Sequence, residues 1–530
     1  MSRRNGGLPE GGGSAAASRV RKPQAAVAYG IAAGISIVIL MGSLLFLHHA
    51  RVRLDEETLR REELLKKAEQ LTFDLPAQLK DLPGLLDHVG QVMESNTEEL
   101  AVILHQSADK AEADFSAGAE YEKLAAVFWQ LGDYEKAETA EIKAVALYQS
   151  LADSREYGAD RALAAAWNNL GSIRHAAGHY QQAEQAYEDA LRLYKGSVAD
   201  RDLTLARMLF NAGVNYTALG REDKAAERYL RCLEIFPALP SDSETILAAA
   251  RAEASYGLLL LRQKEFAGAE EMLRASHDLY GKLPQTGGVQ QREEDLAVLS
   301  ALASLLRDTG RYAEADDCFE ETLAGLDALR TQTEDPVFAR RAVALLEERG
   351  SCLALMNGPA AEENCGKEAV ERAAALWNET GDPQDQILLA RCLCLRAWQS
   401  FRAGNLEESE DCFREGLREY ESIPGELGRE EQASFRAFMA LNILFHQRNM
   451  RGALDAARSA CVFSPEGFLS RRVLAYACLY GGYEAEGESI LLEMIERGET
   501  EKELVRMDLE AQQKAGIPSD IRDSFLEGLR

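Results

Sequence analysis

The residues best suited to covalent or metal chemistry in this sequence are its thiols and imidazoles, and their spacing works against both. Nine cysteines stand at 232, 318, 352, 365, 392, 394, 412, 461 and 478, an odd number with no regular pairing pattern. Cys392 and Cys394, in RCLCLRAW, come nearest to a metal-ligand motif. Residues two apart on a helix point away from each other, however, and no second Cys/His pair stands near them. Most of the nine lie in apolar helical runs such as RCLEIF and DDCFEE, where a thiol behaves as a small buried hydrophobe. His48 and His49 are adjacent, but they close a long apolar run, and an interfacial position accounts for them. Carboxylates are abundant, in runs such as EERGSCLALMNGPAAEEN that read as solvated helix surface. The sequence has no G-x-x-x-x-G-K-[ST], G-x-S-x-G or H-E-x-x-H motif and no kinase-like H-R-D or D-F-G set. The expectation is no enzymatic activity, no catalytic residue, no cofactor and no metal.

The elements that must position the remaining polar groups are helices. Only 13 prolines occur in 530 residues, and Ala, Leu, Glu and Arg are plentiful. The length exceeds what one ordinary core of roughly 100 to 200 residues needs, so several domains or one repeat array are implied. A net charge of −28, from 87 acidic against 59 basic side chains, repels nucleic-acid phosphates and anionic lipid surfaces, which excludes nucleic acid as a partner.

Residues 1–24 read as a flexible basic tail, and residues 25–47, AAVAYGIAAGISIVILMGSLLFL, as one transmembrane helix. At about 1.5 Å per residue the uncharged run covers the roughly 30 Å hydrocarbon core. Nothing like A-x-A follows it, so it reads as an uncleaved anchor rather than a signal peptide. Ala26, Gly30, Gly34 and Gly42 fall along one side of that helix, with Gly30 and Gly34 forming G-x-x-x-G, the pattern that lets two copies approach as a homodimer. The expected location is the cell membrane, single-pass. Two signals compete over orientation. Arg3, Arg4, Arg19, Arg21 and Lys22 keep the tail inside and send the long C-terminal part outward, whereas the unpaired thiols favour a reducing compartment. The tail is the stronger signal, and an extracytoplasmic C-terminal domain is the expectation. Residues 48–72 form a charged juxtamembrane helix, and 73–115 a linker with N-terminal capping helices.

From residue 116 the chain repeats. Each unit has an apolar helix with a small residue near its middle, a turn bearing glycine, an aromatic, an alanine three residues later and a second amphipathic helix. The turns include QLGDYEKAE, AAGHYQQAE, ALGREDKAA, RQKEFAGAE and DTGRYAEAD. Their glycines at 132, 178, 220, 310 and 404 are separated by 46, 42, 90 and 94 residues, one or two units each. Such pairs cannot bury their apolar faces alone and must stack on one another. WNNLGSIRHAAGHYQQAEQAYEDALRLY, Trp167 to Tyr194, resembles a tetratricopeptide repeat at Trp167, Leu170, Gly171, Gly178, Tyr180, Ala183, Tyr187 and Ala190. FNAGVNYTALGREDKAAERYLRCLEIFP is similar, and the long units with the NNL element are closest to the kinesin-light-chain type.

The resemblance is clear over 116–330, degenerate over 331–497, and followed by C-terminal capping helices over 498–530. It implies an all-α fold, a right-handed superhelical solenoid of helix pairs behind the transmembrane helix, whose first helices line a groove for a protein or peptide. By that resemblance the groove residues are Asn168, Asn169, Ser172 and His175 in one unit and Arg207, Phe210, Asn211 and Thr217 in the next. An asparagine amide donates to and accepts from a peptide backbone at once. With so acidic a chain the expected partner segment is basic or neutral. Similar bacterial signalling proteins place a kinase domain ahead of the membrane helix. Only 24 residues stand there in this sequence, so that activity is not carried over and a bacterial scaffold is the reading. The alternative is a dimeric sensor or regulatory subunit that signals across the membrane to a separate effector. If the small-residue side of residues 25–47 is a dimer face, Gly34→Leu should abolish cysteine or chemical crosslinking of the full chain in membranes. Crosslinking at the wild-type level would remove the homodimer.

Overall fold

The computed structural model describes residues 110–196, 202–284, 288–423, 427–496, 498–517 and 520–529. The tail (1–24), the apolar run (25–47) with Ala26, Gly30, Gly34 and Gly42, the juxtamembrane helix (48–72) and most of the linker (73–115) lie outside these. Among the described residues no helix is long and apolar enough to cross a membrane. All regular elements described are helical, and the chain divides into two compact units, residues 1–199 and 200–530.

In the first unit α1 (Lys110–Gln130) pairs with α2 (Tyr134–Asp153), and α3 (Ala159–Ala176) with α4 (Tyr180–Gly196). The reversals are made where the sequence places glycine: Gly132 and Gly178 have φ of +76° and +79°, a conformation that carries no penalty without a side chain. Asp133 then caps α2 by accepting from the backbone N–H of Lys136. Alanines 183, 186 and 190 of α4 are fully buried, which lets the pair close. The tightest contact is aromatic on glycine. A Cβ on Gly171 would lie 2.7 Å from Tyr187 Cε1, so the ring occupies the space that a side chain would need.

The second unit repeats the scheme. α5 (Leu203–Ala218) and α6 (Glu222–Leu233) pair, with Gly213 under the Tyr229 ring at the same 2.7 Å. There follow α7 (Ser243–Arg262), α8 (Phe266–Gly281), α9 (Val289–Asp308) and α10 (Tyr312–Thr333). In the turn between α7 and α8, Lys264 adopts φ +61° where neighbouring turns use glycine. The sequence-degenerate region continues as helix pairs: α11 (Pro336–Asn357) with α12 (Pro359–Thr380), and α13 (Pro383–Ala403) with α14 (Leu406–Ser422). Its punctuation differs. All three of α11, α12 and α13 begin at proline, whose missing N–H falls where a helix has no partner for it, and Asp335 and Asp382 cap α11 and α13.

The remaining helices are α15 (Arg429–Asn442, running into a wider turn at Ile443–Gln447), α16 (Met450–Phe463), α17 (Phe468–Tyr480), α18 (Glu484–Ile495), α19 (Glu499–Lys514) and α20 (Asp520–Leu529). Phe401 and Phe445 stack at 4.0 Å in the core beneath them. α19 does more than follow α18: it also packs against α9, α11 and α13, the first helices of three successive pairs.

Gly171→Val should force the Tyr187 ring off its seat and cost roughly 1–3 kcal/mol of exchange protection in α3 and α4. Combined with Tyr187→Ala the loss should be less than the sum of the two single losses, as expected for groups in contact. Strict additivity would show that the ring does not set the helix spacing.

Candidate partner-binding site

The first unit holds a polar cluster, called here the hollow, contributed by three helices. Tyr148 of α2 lies against Gly118 of α1, and this close approach brings its hydroxyl to Glu122, where it donates to Oε2 at 3.0 Å. Asn169 of α3 donates its amide to the other oxygen, Oε1, at 3.3 Å. Glu141 of α2 stands beside them, 1% exposed, and its Oε1 has no hydrogen-bond partner. Burial pushes the Glu141 carboxyl up to about 8; the charge on Glu122 pushes the same way, and the Asn169 amide opposes it. Burial also raises Glu122, against the hydrogen bonds from Tyr148 and Asn169. Near neutral pH the hollow therefore keeps a proton that an ordinary pair of carboxylates would release. A lysine or arginine side chain could take the place of that proton and satisfy both acids.

Of the residues expected to face a partner on α3, Asn169 joins this hollow. Asn168 is half-buried, and its carbonyl accepts from the Ser172 hydroxyl at 3.1 Å. Ser172 in turn accepts from Tyr187 at 3.2 Å, and His175 meets the Tyr180 ring edge-on at 5.2 Å. In the second unit Arg207 is exposed and paired with Glu244 at 2.6 Å. Phe210 is half-buried with its ring 6.1 Å from that of Tyr229, and Asn211 is half-buried. Thr217 donates to the Gly213 carbonyl at 3.0 Å and lies 3.3 Å from the Tyr229 hydroxyl. Ser172 and Thr217 thus serve the tyrosines that lie on the glycines.

Reading the sequence did not single out Glu122 or Glu141, although a signal was there. Glu141 follows Ala125 by 16 residues, the interval that separates Tyr187 from Gly171 and Tyr229 from Gly213. A carboxylate occupies the place of the repeat's tyrosine. Glu253 of α7 is a half-buried acid, raised to about 7 mainly by burial.

Cys392 and Cys394 are buried, and burial drives both thiols well above their ordinary range. Among the described residues no group of three or more His, Cys, Asp or Glu side chains is placed to hold a metal ion.

The tetratricopeptide repeat family matches residues 116–196, 162–238 and 296–325. Those stretches carry tetratricopeptide repeats. Among solved structures it is similar to BtubC (BKLC) from P. vanneervenii, at 16% identity over 45% of this chain and 92% of that one, with a TM-score of 0.36. It is also similar to the apo form of RapI, at 12% identity over 77% of this chain and 98% of that one, with a TM-score of 0.48. No curated protein matches the sequence. The family matches cover the hollow: α1 and α2 belong to the first matched stretch, and α3 to both overlapping ones.

Glu141 ties the first unit's stability to pH. Its carboxyl titrates near 4.5 when unfolded and near 8 when folded, so the folded chain holds the proton more tightly. The resulting stabilisation is complete below the unfolded value and is lost as pH rises toward the folded one. Each pKa unit corresponds to about 1.4 kcal/mol, which makes the effect on the order of a few kcal/mol. Hydrogen exchange in α1–α3, corrected for intrinsic rates, should lose protection between pH 5 and pH 8. Glu141→Gln should abolish most of that loss; an identical pH profile in the variant would place the titration elsewhere.

Proposed function

We propose that this tetratricopeptide-repeat chain is a membrane-tethered scaffold whose first unit binds a protein segment through a lysine or arginine seated between Glu122 and Glu141. The single observation that carries this reading is the pair of half-buried and buried carboxylates, one with an unpartnered oxygen, held by Tyr148 and Asn169. A hollow that binds a proton this tightly gains by exchanging it for a cation that brings its own apolar stem. The chain's net charge of −28 favours encounter with a basic segment and makes the association salt-sensitive. The uncharged run at 25–47 would hold the scaffold in the cell membrane as a single-pass protein, with the basic tail inside and the repeats outside.

The test is a peptide-array screen with the full-length chain in detergent, run beside Glu122→Gln/Glu141→Gln and Asn169→Ala variants. Wild-type protein should enrich peptides containing Lys or Arg. The double variant should lose at least about tenfold in affinity for them, the scale of removing one charged-group interaction. Enrichment that ignores basic residues, or that survives the double substitution, would contradict the proposal.

A further inference from the structure

In the second unit α19 behaves as an occupant of the scaffold. Besides its chain neighbours it touches α9, α11 and α13, and the Thr500 hydroxyl reaches the carbonyl of Arg307, 193 residues earlier, at 3.4 Å. Eight of its 16 residues are charged, a composition suited to a surface helix. Yet Val505, Asp508, Leu509 and Gln512, at the i, i+3, i+4, i+7 spacing of one helix face, are all buried.

Asp508 is the chemical centre of that face. Its Oδ1 accepts from the Trp398 indole N–H at 3.1 Å and its Oδ2 from the Tyr476 hydroxyl at 2.7 Å. The guanidinium groups of Arg402 and Arg472 each stand 3.6 Å from it. All four donors come from α13 and α17, helices of the repeat scaffold, and they are mutually ordered: Trp398 stacks on Tyr476 at 5.9 Å, with Arg472 over the indole. A competing carboxylate, Glu362 of α12, is held by Arg402 and by the Gln399 amide. The Nε atoms of Arg402 and Arg472 have no hydrogen-bond partner, so the scaffold offers more donors than α19 uses. Two guanidinium groups, an indole and a phenol converging on one carboxylate are the donor set of a carboxylate receptor.

We propose that this face of the second unit is a binding site for an acidic helical segment of a partner protein, built on Trp398, Arg402, Arg472 and Tyr476, and that α19 fills it in cis as a competing ligand. The chemistry of the occupant defines the partner: a helix that carries a carboxylate in the place of Asp508, flanked by apolar residues in the places of Val505 and Leu509. Tethering in the same chain gives α19 a high local concentration, so a partner must offer better apolar contacts or a second attachment to displace it. The site and its ligand charge are separate from the cation-seeking hollow of the first unit, and either proposal can fail alone.

The test uses the full-length chain and a fluorescent peptide of residues 498–517. In Asp508→Asn protein, exchange in α19 should speed up at least tenfold while α13 and α17 keep their protection. That protein should bind the wild-type peptide at least tenfold more tightly than the unsubstituted chain does, and it should ignore a peptide bearing the same Asp→Asn change. Failure to capture the peptide once α19 is released, or exchange that rises together in α13, α17 and α19, would make α19 a fixed part of the fold. A chain with a protease site inserted at Gly498, folded before it is cut, gives an independent reading should the substitution prevent folding. After cutting, the released segment should exchange for the labelled peptide, and a segment that stays in place against excess peptide overturns the proposal.

Discussion

A tyrosine ring packed against a glycine of the neighbouring helix is the contact on which the first helix pairs of this chain depend. It occurs at Gly118 with Tyr148, Gly171 with Tyr187 and Gly213 with Tyr229, with the space above each glycine filled to within about 2.7 Å of where a Cβ would stand. The contact does two jobs. It sets how closely two helices pack, and it aims the phenolic hydroxyl at the polar residues of its partner helix. Tyr187 thereby reaches Ser172, Tyr229 meets Thr217 and Tyr148 holds Glu122. The polar groups of the first helices are consequently fixed by the packing that also makes the core.

Where the pattern is broken, the break is chemical. In the first pair Glu141 stands at the repeat position of Tyr187 and Tyr229, while Tyr148, seven residues on, packs against Gly118 instead, and the Glu141 carboxyl keeps an unpartnered oxygen. Burial then keeps a proton on an acid that would be ionised at the surface. The second unit solves the opposite problem. Asp508 is as buried as Glu141, yet two arginines, an indole and a phenol compensate it. Surface ion pairs such as Arg251 with Glu294 and Arg341 with Glu293 recur at intervals of 43 and 48 residues, about one repeat apart. Being partly exposed, each adds little to stability. At buried positions such as Glu141 and Asp508 an unpaired charge is costly.

Much of this was legible from residue types. The turn glycines, the small residues of the first helices and the aromatics between them foretold helix pairs over 116–330, and these are present. Over 331–497 the turns still carry glycines of positive φ at 358, 381 and 404, but the prolines that open α11, α12 and α13, with Asp335 and Asp382 capping α11 and α13, change the residues around them and obscure the repeat's turn pattern. Ser172 and Thr217 lie beside the repeat's signature and look like partner contacts, but each is bonded to a tyrosine hydroxyl, a relation that spacing alone does not reveal. The return of α19 to α9, α11 and α13 was illegible because a repeat pattern encodes contacts between neighbours, whereas this packing joins Thr500 to Arg307. Glu141 was readable only as an exception, an acid standing where two later units place tyrosine.

The account rests on a carboxyl that stays protonated until a cation replaces its proton, and the most direct measurement is of that proton. Carbon-13 labelling of glutamate carboxyls in the full-length chain, with Glu141 assigned by its Gln variant, gives the titration by NMR. The account predicts a Glu141 midpoint near 8 in the free chain and ionisation at neutral pH once a lysine- or arginine-bearing peptide is bound. A midpoint in the ordinary carboxylate range, unmoved by any such peptide, would contradict it.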